Sequence, residues 1–184
     1  SGGGGVMVYG KEISLLNTVL SGNTSLGSGG GLNSYAESAI VKSCVFTGNS
    51  VTGSKSYGGA VRLYFSGGSI SDSTFEDNHA SFWGGAILLS DSEATITNCI
   101  VRNNSTGGVG GGIAVMGKNP YIANCTISGN TSTSFGGGLR TAYGSASLAG
   151  NVFCSNVPDD IGGEGWVDMD GNEFPESCPV YEGA

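Results

Sequence analysis

Few side chains in this sequence are suited to covalent or acid–base chemistry, and their spacing limits what each can do. His79 is the only histidine; that excludes a multi-histidine metal centre, and nothing in the sequence supports a Ser/His/Asp relay built around it. Carbohydrate cleavage needs clustered carboxylates, and a lyase also needs a calcium site and a basic residue. Asp72, Glu76 and Asp77 offer the carboxylates, with Arg62 and Arg102 on flanking segments. The segment Asp168-Met169-Asp170-Gly171-Asn172 has half the pattern of a calcium loop and lacks the twelfth-position glutamate. Gly107-Gly108-Val109-Gly110-Gly111-Gly112 is glycine-rich enough for a phosphate loop, but no helical pattern follows it and the same glycines recur along the chain. These residues predict no metal centre, no cofactor and no catalytic set.

What positions them is a repeat. With each Gly-Gly run in one column, the first apolar residue after the glycines is Val6, Leu32, Val61, Ile87, Ile113 and Leu139, at intervals of 26, 29, 26, 26 and 26. A second column, Asn23, Asn49, Asn78, Asn104, Asn130 and Asn156, has the same five intervals. The shared irregularity places three extra residues in the loop Ser50–Tyr57. A fixed period of this size marks a solenoid or array. Apolar residues alternate, as in Ile113-Ala114-Val115, and many are β-branched, so the units are built of strands.

Counting back from the asparagine, the third position is Leu20, Phe46, Phe75, Val101, Ile127 and Phe153, and the eighth is Leu15, Val41, Ile70, Ile96, Ile122 and Leu148. Both columns point inward. The prediction is an all-β, right-handed, single-stranded parallel β-helix with about six coils of 26 residues over 1–156. Three short strands per coil pair with their equivalents about 4.8 Å above and below. Residues 157–184, where the period fails around Val157-Pro158-Asp159-Asp160, form an irregular C-terminal cap packed on the same domain. No cap precedes the first coil, so its edge should be covered by a partner or by upstream coils.

The sequence contains 35 glycines where average usage would give about 13. They fit corners that need positive φ or close backbone approach. The asparagines fit a stacked ladder, each amide bonding its own coil and the next, with tolerance of the left-handed region as a further advantage. Asn-x-Ser/Thr triplets occur at Asn23, Asn103, Asn104, Asn124 and Asn130. A buried ladder amide is closed to a glycosyl transferase, leaving Asn103 as the better acceptor. Cys44, Cys99 and Cys125 fall five residues before a ladder asparagine and read as small, unreactive core fillers. Cys154 and Cys178 flank the tail 24 residues apart. A disulfide between them would tie the cap to the last coil in an oxidising setting: the extracellular space, a cell surface, an organelle lumen or the periplasm.

The outward positions of the first strand carry the binding reading. Three positions after the leading apolar residue lie Tyr9, Tyr35 and Tyr64 and then Met116, with Met7 and Leu88 beside them. A half-apolar strip of this kind marks a contact surface for a protein or a glycan. The loop column Tyr57, Trp83, Val109 and Phe135 either extends the strip or folds over it as a satellite core. Seven Lys+Arg against fifteen Asp+Glu give a net charge of −8, which argues against nucleic acid as a partner. No stretch approaches 18 apolar residues, so no transmembrane helix is expected.

Gly58-Gly59-Ala60-Val61 with Phe75-Glu76-Asp77-Asn78 resembles the repeat of polymorphic outer-membrane proteins. Gly84-Gly85-Ala86-Ile87, Phe46-Thr47-Gly48-Asn49 and Phe153-Cys154-Ser155-Asn156 follow the same pattern. The resemblance spans about residues 2–156, although several coils have Gly-Gly-Gly and an aliphatic residue in place of the Phe. It implies a surface-exposed β-helix of the kind found in adhesin passengers. The segment from Phe153-Cys154 to Cys178-Pro179 is similar to the closing part of secreted β-helix proteins of marine microbes and algae. The expected function is therefore a non-catalytic binding or structural module, as a surface adhesin fragment or an accessory subunit of a larger assembly. The alternative is a polysaccharide lyase or glycoside hydrolase.

Overall fold

The computed structural model describes residues 3–178. Residues 1 and 2 of the expected first coil and 179–184 of the expected cap lie outside the described residues. The chain winds as a parallel solenoid, and the glycine-aligned column is one continuous register: Val6 pairs with Leu32, Leu32 with Val61, Val61 with Ile87, Ile87 with Ile113 and Ile113 with Leu139. Val51 still pairs with Ala80, 29 residues on, whereas Tyr57 bridges Trp83, 26 residues on. The three extra residues are therefore confined between Val51 and Tyr57.

Each central coil contributes four strand segments, one more than the repeat predicts. In the third coil these are Val61–Tyr64, Gly67–Ser71, Thr74–Glu76 and His79–Ala80. The last pair, directly after the ladder asparagine, is too short to leave an alternation signal. In the first two coils the leading segments fuse into Val6–Leu16 and Leu32–Lys42, so the first two faces join as one sheet. Inside, Val61, Ile70, Phe75, Ile87, Ile96 and Val101 are fully buried. Phe46 stacks on Phe75 with ring centroids 5.0 Å apart and planes 10° from parallel. Each such side chain withdrawn from water stabilises the coil by about 1.5–3 kcal/mol.

Two asparagine-type turns hold every coil. At the ladder, Asn78 Nδ2 donates to Asn104 Oδ1 at 2.9 Å, and Asn104 Nδ2 donates to Asn130 Oδ1 at 2.9 Å. Equivalent bonds run from Asn23 to Asn49, Asn49 to Asn78 and Asn130 to Asn156. The ladder asparagines do not themselves adopt the left-handed region. The residue before each does: Gly22, Gly48, Asp77, Asn103, Gly129 and Ser155, with φ between 55° and 64°. That residue makes the corner, which leaves the following amide free to point inward along the stack.

The second turn repeats this design one side earlier. Asn17, Ser43, Asp72, Asn98, Asn124 and Gly150 take positive φ. The residues that follow them form a second ladder in which Cys44 N–H donates to Ser73 Oγ, Cys99 N–H to Cys125 Sγ, and Cys125 N–H to Asn151 Oδ1. Each thiol also donates to a backbone carbonyl of its own coil, such as Cys99 to Thr97 O and Cys125 to Ala123 O. The cysteines are thus more than fillers, since they occupy the place of ladder asparagines. The hydrogen bond shared with Cys125, together with burial, pushes the Cys99 thiol up and keeps it protonated.

At the glycine corner the two glycines do different work. Gly84 has φ +67°, a conformation L residues with side chains rarely adopt. A Cβ on Gly85 would sit 2.6 Å from Ser105 O and closer still to Gly111 O, so only glycine lets these backbones stack.

The tail is less irregular than its sequence implies. Val157 bridges to Thr131, Ile161–Gly162 pairs with Leu139 and Arg140, Trp166–Asp170 pairs with Ala146–Ala149, and Glu173 bridges to Val152. This is a seventh, shortened turn whose spacing contracts from 26 to 20–22 residues, which hides it from a fixed-period reading. Asn172 closes the second ladder, accepting from Asn151 Nδ2 at 2.9 Å. Phe174 stacks on Phe153 at 5.4 Å, and Cys154 is disulfide-bonded to Cys178 with Cα atoms 5.2 Å apart. No helix among the described residues is long and apolar enough to cross a membrane.

Candidate docking face

The first sheet turns two outward columns toward one side of the solenoid. The tyrosine column is continuous: the Tyr9 and Tyr35 rings stack at 4.8 Å and 15°, and Tyr35 meets Tyr64 edge-on at 5.4 Å. Phe65, itself at a positive-φ corner, packs edge-on against Tyr64 at 4.3 Å. Tyr9 is 68% exposed, Tyr35, Tyr64 and Met116 are partly exposed, and Met7 is exposed at the N-terminal end.

Leu88 does not belong to this surface. It points outward but is 1% exposed, and its neighbour Ala114 is fully buried. The cause is the corner glycine, which doubles back over the first outward position. A Cβ on Gly110 would lie 2.8 Å from that of Ala114, and one on Gly58 would lie 3.1 Å from that of Arg62. In the central coils the loops therefore form a satellite core, and the exposed face divides into an N-terminal and a C-terminal part.

In the N-terminal part, Arg62 is held among three tyrosines. Its guanidinium carbon lies 4.6 Å from the Tyr64 ring centroid, 5.4 Å from Tyr35 and 5.7 Å from Tyr57, and Nη1 donates to the Tyr35 hydroxyl at 2.8 Å. Cation–π contact fixes the guanidinium without neutralising it. Phe82 continues the cluster between Tyr57 and Trp83. In the C-terminal part, Trp83, Phe135, Arg140, Tyr143 and Glu164 line an open cleft of about 700 Å³, with the Arg140 guanidinium 5.6 Å from the Phe135 centroid. The sequence reading singled out neither Arg140 nor Tyr143 as a site residue. Tyr143 follows a strand rather than lying on one, and only the shortened seventh turn, which brings Gly163 and Glu164 alongside, makes the cleft.

Polar atoms are left unpaired here. Among the described residues, buried side-chain atoms without a hydrogen-bond partner are Asn33 Oδ1 and Nδ2, Arg62 Nε, Arg140 Nε and Ser132 Oγ. All but the last belong to the single outward column Met7, Asn33, Arg62, Leu88, Ala114, Arg140. Such atoms cost about 1–3 kcal/mol each, so the column gives up stability that the ladders do not.

The carboxylates weighed for catalysis do not converge. Glu76 and Arg102 form a two-point ion pair, with Nε–Oε1 at 2.9 Å and Nη2–Oε2 at 3.0 Å. Asp72 lies 4.0 Å from Lys42 and accepts from Asn98 Nδ2, and Asp77 is an exposed corner residue. Arg62 and Glu76 stand on different sheets, and Asp72 and Asp77 are positive-φ corner residues between strands. His79 is on a short strand, with Nδ1 2.9 Å from Ser105 Oγ. In the tail, Asp168 Oδ1 accepts from Asn172 Nδ2 at 2.6 Å and from Asp170 N–H, so these polar groups are occupied in closing the turn. Of the triplet asparagines, Asn104 and Asn130 are buried and Asn23 partly so, while Asn103 and Asn124 are both exposed.

The family description of a right-handed β-helix region matches residues 1–153. The chain belongs to the right-handed β-helix family. The matched span covers all six full-length coils up to Phe153 and stops where the shortened turn and cap begin. Comparison with curated proteins and with solved structures gives no match. The family establishes the β-helix and leaves its activity to be argued from its surfaces.

Proposed function

We propose that this β-helix is a non-catalytic docking module of an extracellular, cell-surface or lumenal protein, and that it engages a protein partner through the tyrosine–arginine face. The supporting observation is Arg62 in its cage of Tyr35, Tyr57 and Tyr64. Tyr, Trp and Arg are the residues that dominate interface energetics when rigidly held. The stacked rings present edges and hydroxyls more than open faces, which suits a protein surface better than a sugar platform. The disulfide at the cap favours an oxidising setting, as expected for an adhesin fragment or an accessory subunit.

A glycan is favoured by one separate feature, the open cleft with Phe135, Tyr143 and Trp83 around Arg140. Ring faces around a cationic group suit a sugar bearing an acid.

The test presents a displayed random-peptide library and an array of neutral and acidic oligosaccharides to the wild-type chain and to Tyr35→Ala/Tyr64→Ala. Peptide ligands of the wild type should lose tenfold or more in affinity, since truncating an anchoring aromatic costs about 2 kcal/mol. The melting temperature should change little, because both rings are at the surface. Unchanged affinity would remove the face from consideration. Incubation with acidic polysaccharides and calcium should release no reducing ends or unsaturated products; release that disappears in Asp77→Asn would establish an enzyme instead.

A further inference from the structure

Two half-buried arginines of this chain have no carboxylate partner among the described residues. Of the seven Lys and Arg residues, Lys42, Arg102 and Lys118 are in ion pairs with Asp72, Glu76 and Glu93. Lys11 and Lys55 are exposed, so water solvates them. Arg62 and Arg140 are only partly exposed, are in none of these ion pairs, and each has a buried Nε without a hydrogen-bond partner. Glu164 shares the cleft of Arg140 without pairing with it. A half-buried charge without a counter-ion costs stability, and a carboxylate brought by a partner would offset that cost.

The two arginines also match in position. Both occupy the first outward position of the first sheet, and three coil steps through Leu88 and Ala114 separate them, about 14 Å at the spacing of paired strands. Both are flanked by rings, Arg62 by Tyr35, Tyr57 and Tyr64, and Arg140 by Phe135. The loop column spans the interval beside the buried Leu88 and Ala114: Tyr57 bridges Trp83 and Trp83 bridges Val109, with Trp83 and Val109 partly exposed. The N-terminal and C-terminal parts of the face are thus the charged ends of one site with an apolar middle.

We propose that this site takes an extended acidic segment of the protein partner, running along the solenoid axis with one carboxylate on Arg62 and a second on Arg140. This rests on the docking reading above and names the chemistry it recognises. An extended chain rises about 3.4 Å per residue and returns to the same face at every second residue. Residues four apart therefore lie on one face about 14 Å from each other, the separation of the arginines. The residue midway faces Trp83 and Val109, so the recognised pattern is acidic-x-apolar-x-acidic. A guanidinium donates two parallel hydrogen bonds to a carboxylate, and rings that already restrict it reduce the entropy lost on pairing.

Isothermal titration of the full chain with short synthetic peptides tests this. The probe has glutamates four residues apart, a leucine midway and threonines between. Controls replace one or both glutamates with glutamine, or set the glutamates two residues apart. The probe should bind tenfold or more tighter than any control. Arg62→Gln and Arg140→Gln should each weaken the probe tenfold or more and leave the doubly neutral peptide unaffected, with each arginine coupled to one glutamate only. Changes made in the peptide cannot disturb the fold, and far-UV circular dichroism would verify it in the two variants. Equal binding of the probe and the neutral peptide, lost for both in Tyr35→Ala/Tyr64→Ala, would overturn the acidic pattern and leave the docking reading standing. A probe that does not bind at all would overturn it too, and library ligands that still need Tyr35 and Tyr64 would show that the docking reading survives. Tighter binding of oligogalacturonate, lost in both arginine variants, would assign the site to an acidic glycan instead.

Discussion

Asn104→Leu should lower stability by about 3–5 kcal/mol, whereas Asn33→Leu, at an equally buried asparagine, should leave it unchanged or raise it. Both residues are 1% exposed. Asn104 Oδ1 accepts from the backbone and side-chain nitrogens of Asn78, and Asn104 Nδ2 donates to Phe75 O, Arg102 O and Asn130 Oδ1. Leucine at 104 would strand the Asn78 N–H and the Phe75 carbonyl in an apolar stack. The Asn33 amide has no such partners. Replacing it with leucine would remove buried polar atoms that cost stability without return. At about 2–4 °C per kcal/mol, the midpoint of Asn104→Leu should fall on the order of 10 °C. Urea and thermal denaturation of the two variants would check the contrast; equal losses would show that unpaired buried amides are not what separates the outward column from the ladder.

The double variant Cys154→Ser/Cys178→Ser should be destabilised by about 3 kcal/mol, the loop-closure value for a separation of this length. The corresponding fall in the melting midpoint is roughly 6–12 °C. The consequence should be local before it is global. Released from Cys154, the tail loses what holds Phe174 against Phe153, and limited proteolysis should cut it in the variant well before the coils. The wild type treated with a reductant should behave like the variant, and an unaltered midpoint with an uncut tail would show that ladder closure by Asn172 suffices to hold the cap.

The period-26 columns made the solenoid legible because a residue's place in a coil fixes its neighbours above and below. Val6 to Leu139 and Asn23 to Asn156 lie in register, and the one insertion falls between Val51 and Tyr57. The Cys154–Cys178 bond was legible for a similar reason, since both cysteines flank the place where the period ends. What escaped the columns was anything that changed length or direction. The seventh turn contracts, so Asn172 does not fall in the 26-residue frame even though it completes a ladder. The two-residue strands after each ladder asparagine are too short to alternate. The second ladder was disguised by its mixed composition of Cys44, Ser73, Cys99, Cys125 and Asn151, which are chemically unlike yet each accepts or donates at the same place.

The outward face proposed for docking was half legible. Strand alternation correctly pointed Tyr9, Tyr35, Tyr64 and Met116 outward, but pointing outward is not the same as exposure. Leu88 is covered because a positive-φ glycine folds the corner back over it, a three-dimensional effect with no signature in an outward column. The cage around Arg62 depends on Tyr57 reaching in from a loop in the preceding corner, and the cleft at Arg140 depends on the contracted turn. Both are products of packing between segments whose spacing does not repeat.

The claim on which the ladders, the face and the cap all rest is that equivalent residues of successive coils touch. Side-chain amide hydrogen exchange, followed by NMR on uniformly labelled protein, tests it most directly. The Nδ2 protons of Asn49, Asn78, Asn104 and Asn130 should be strongly protected, exchanging only when the solenoid opens, while those of the exposed Asn103 and Asn124 exchange freely. Ladder amides exchanging as fast as Asn103 and Asn124 would contradict the stack.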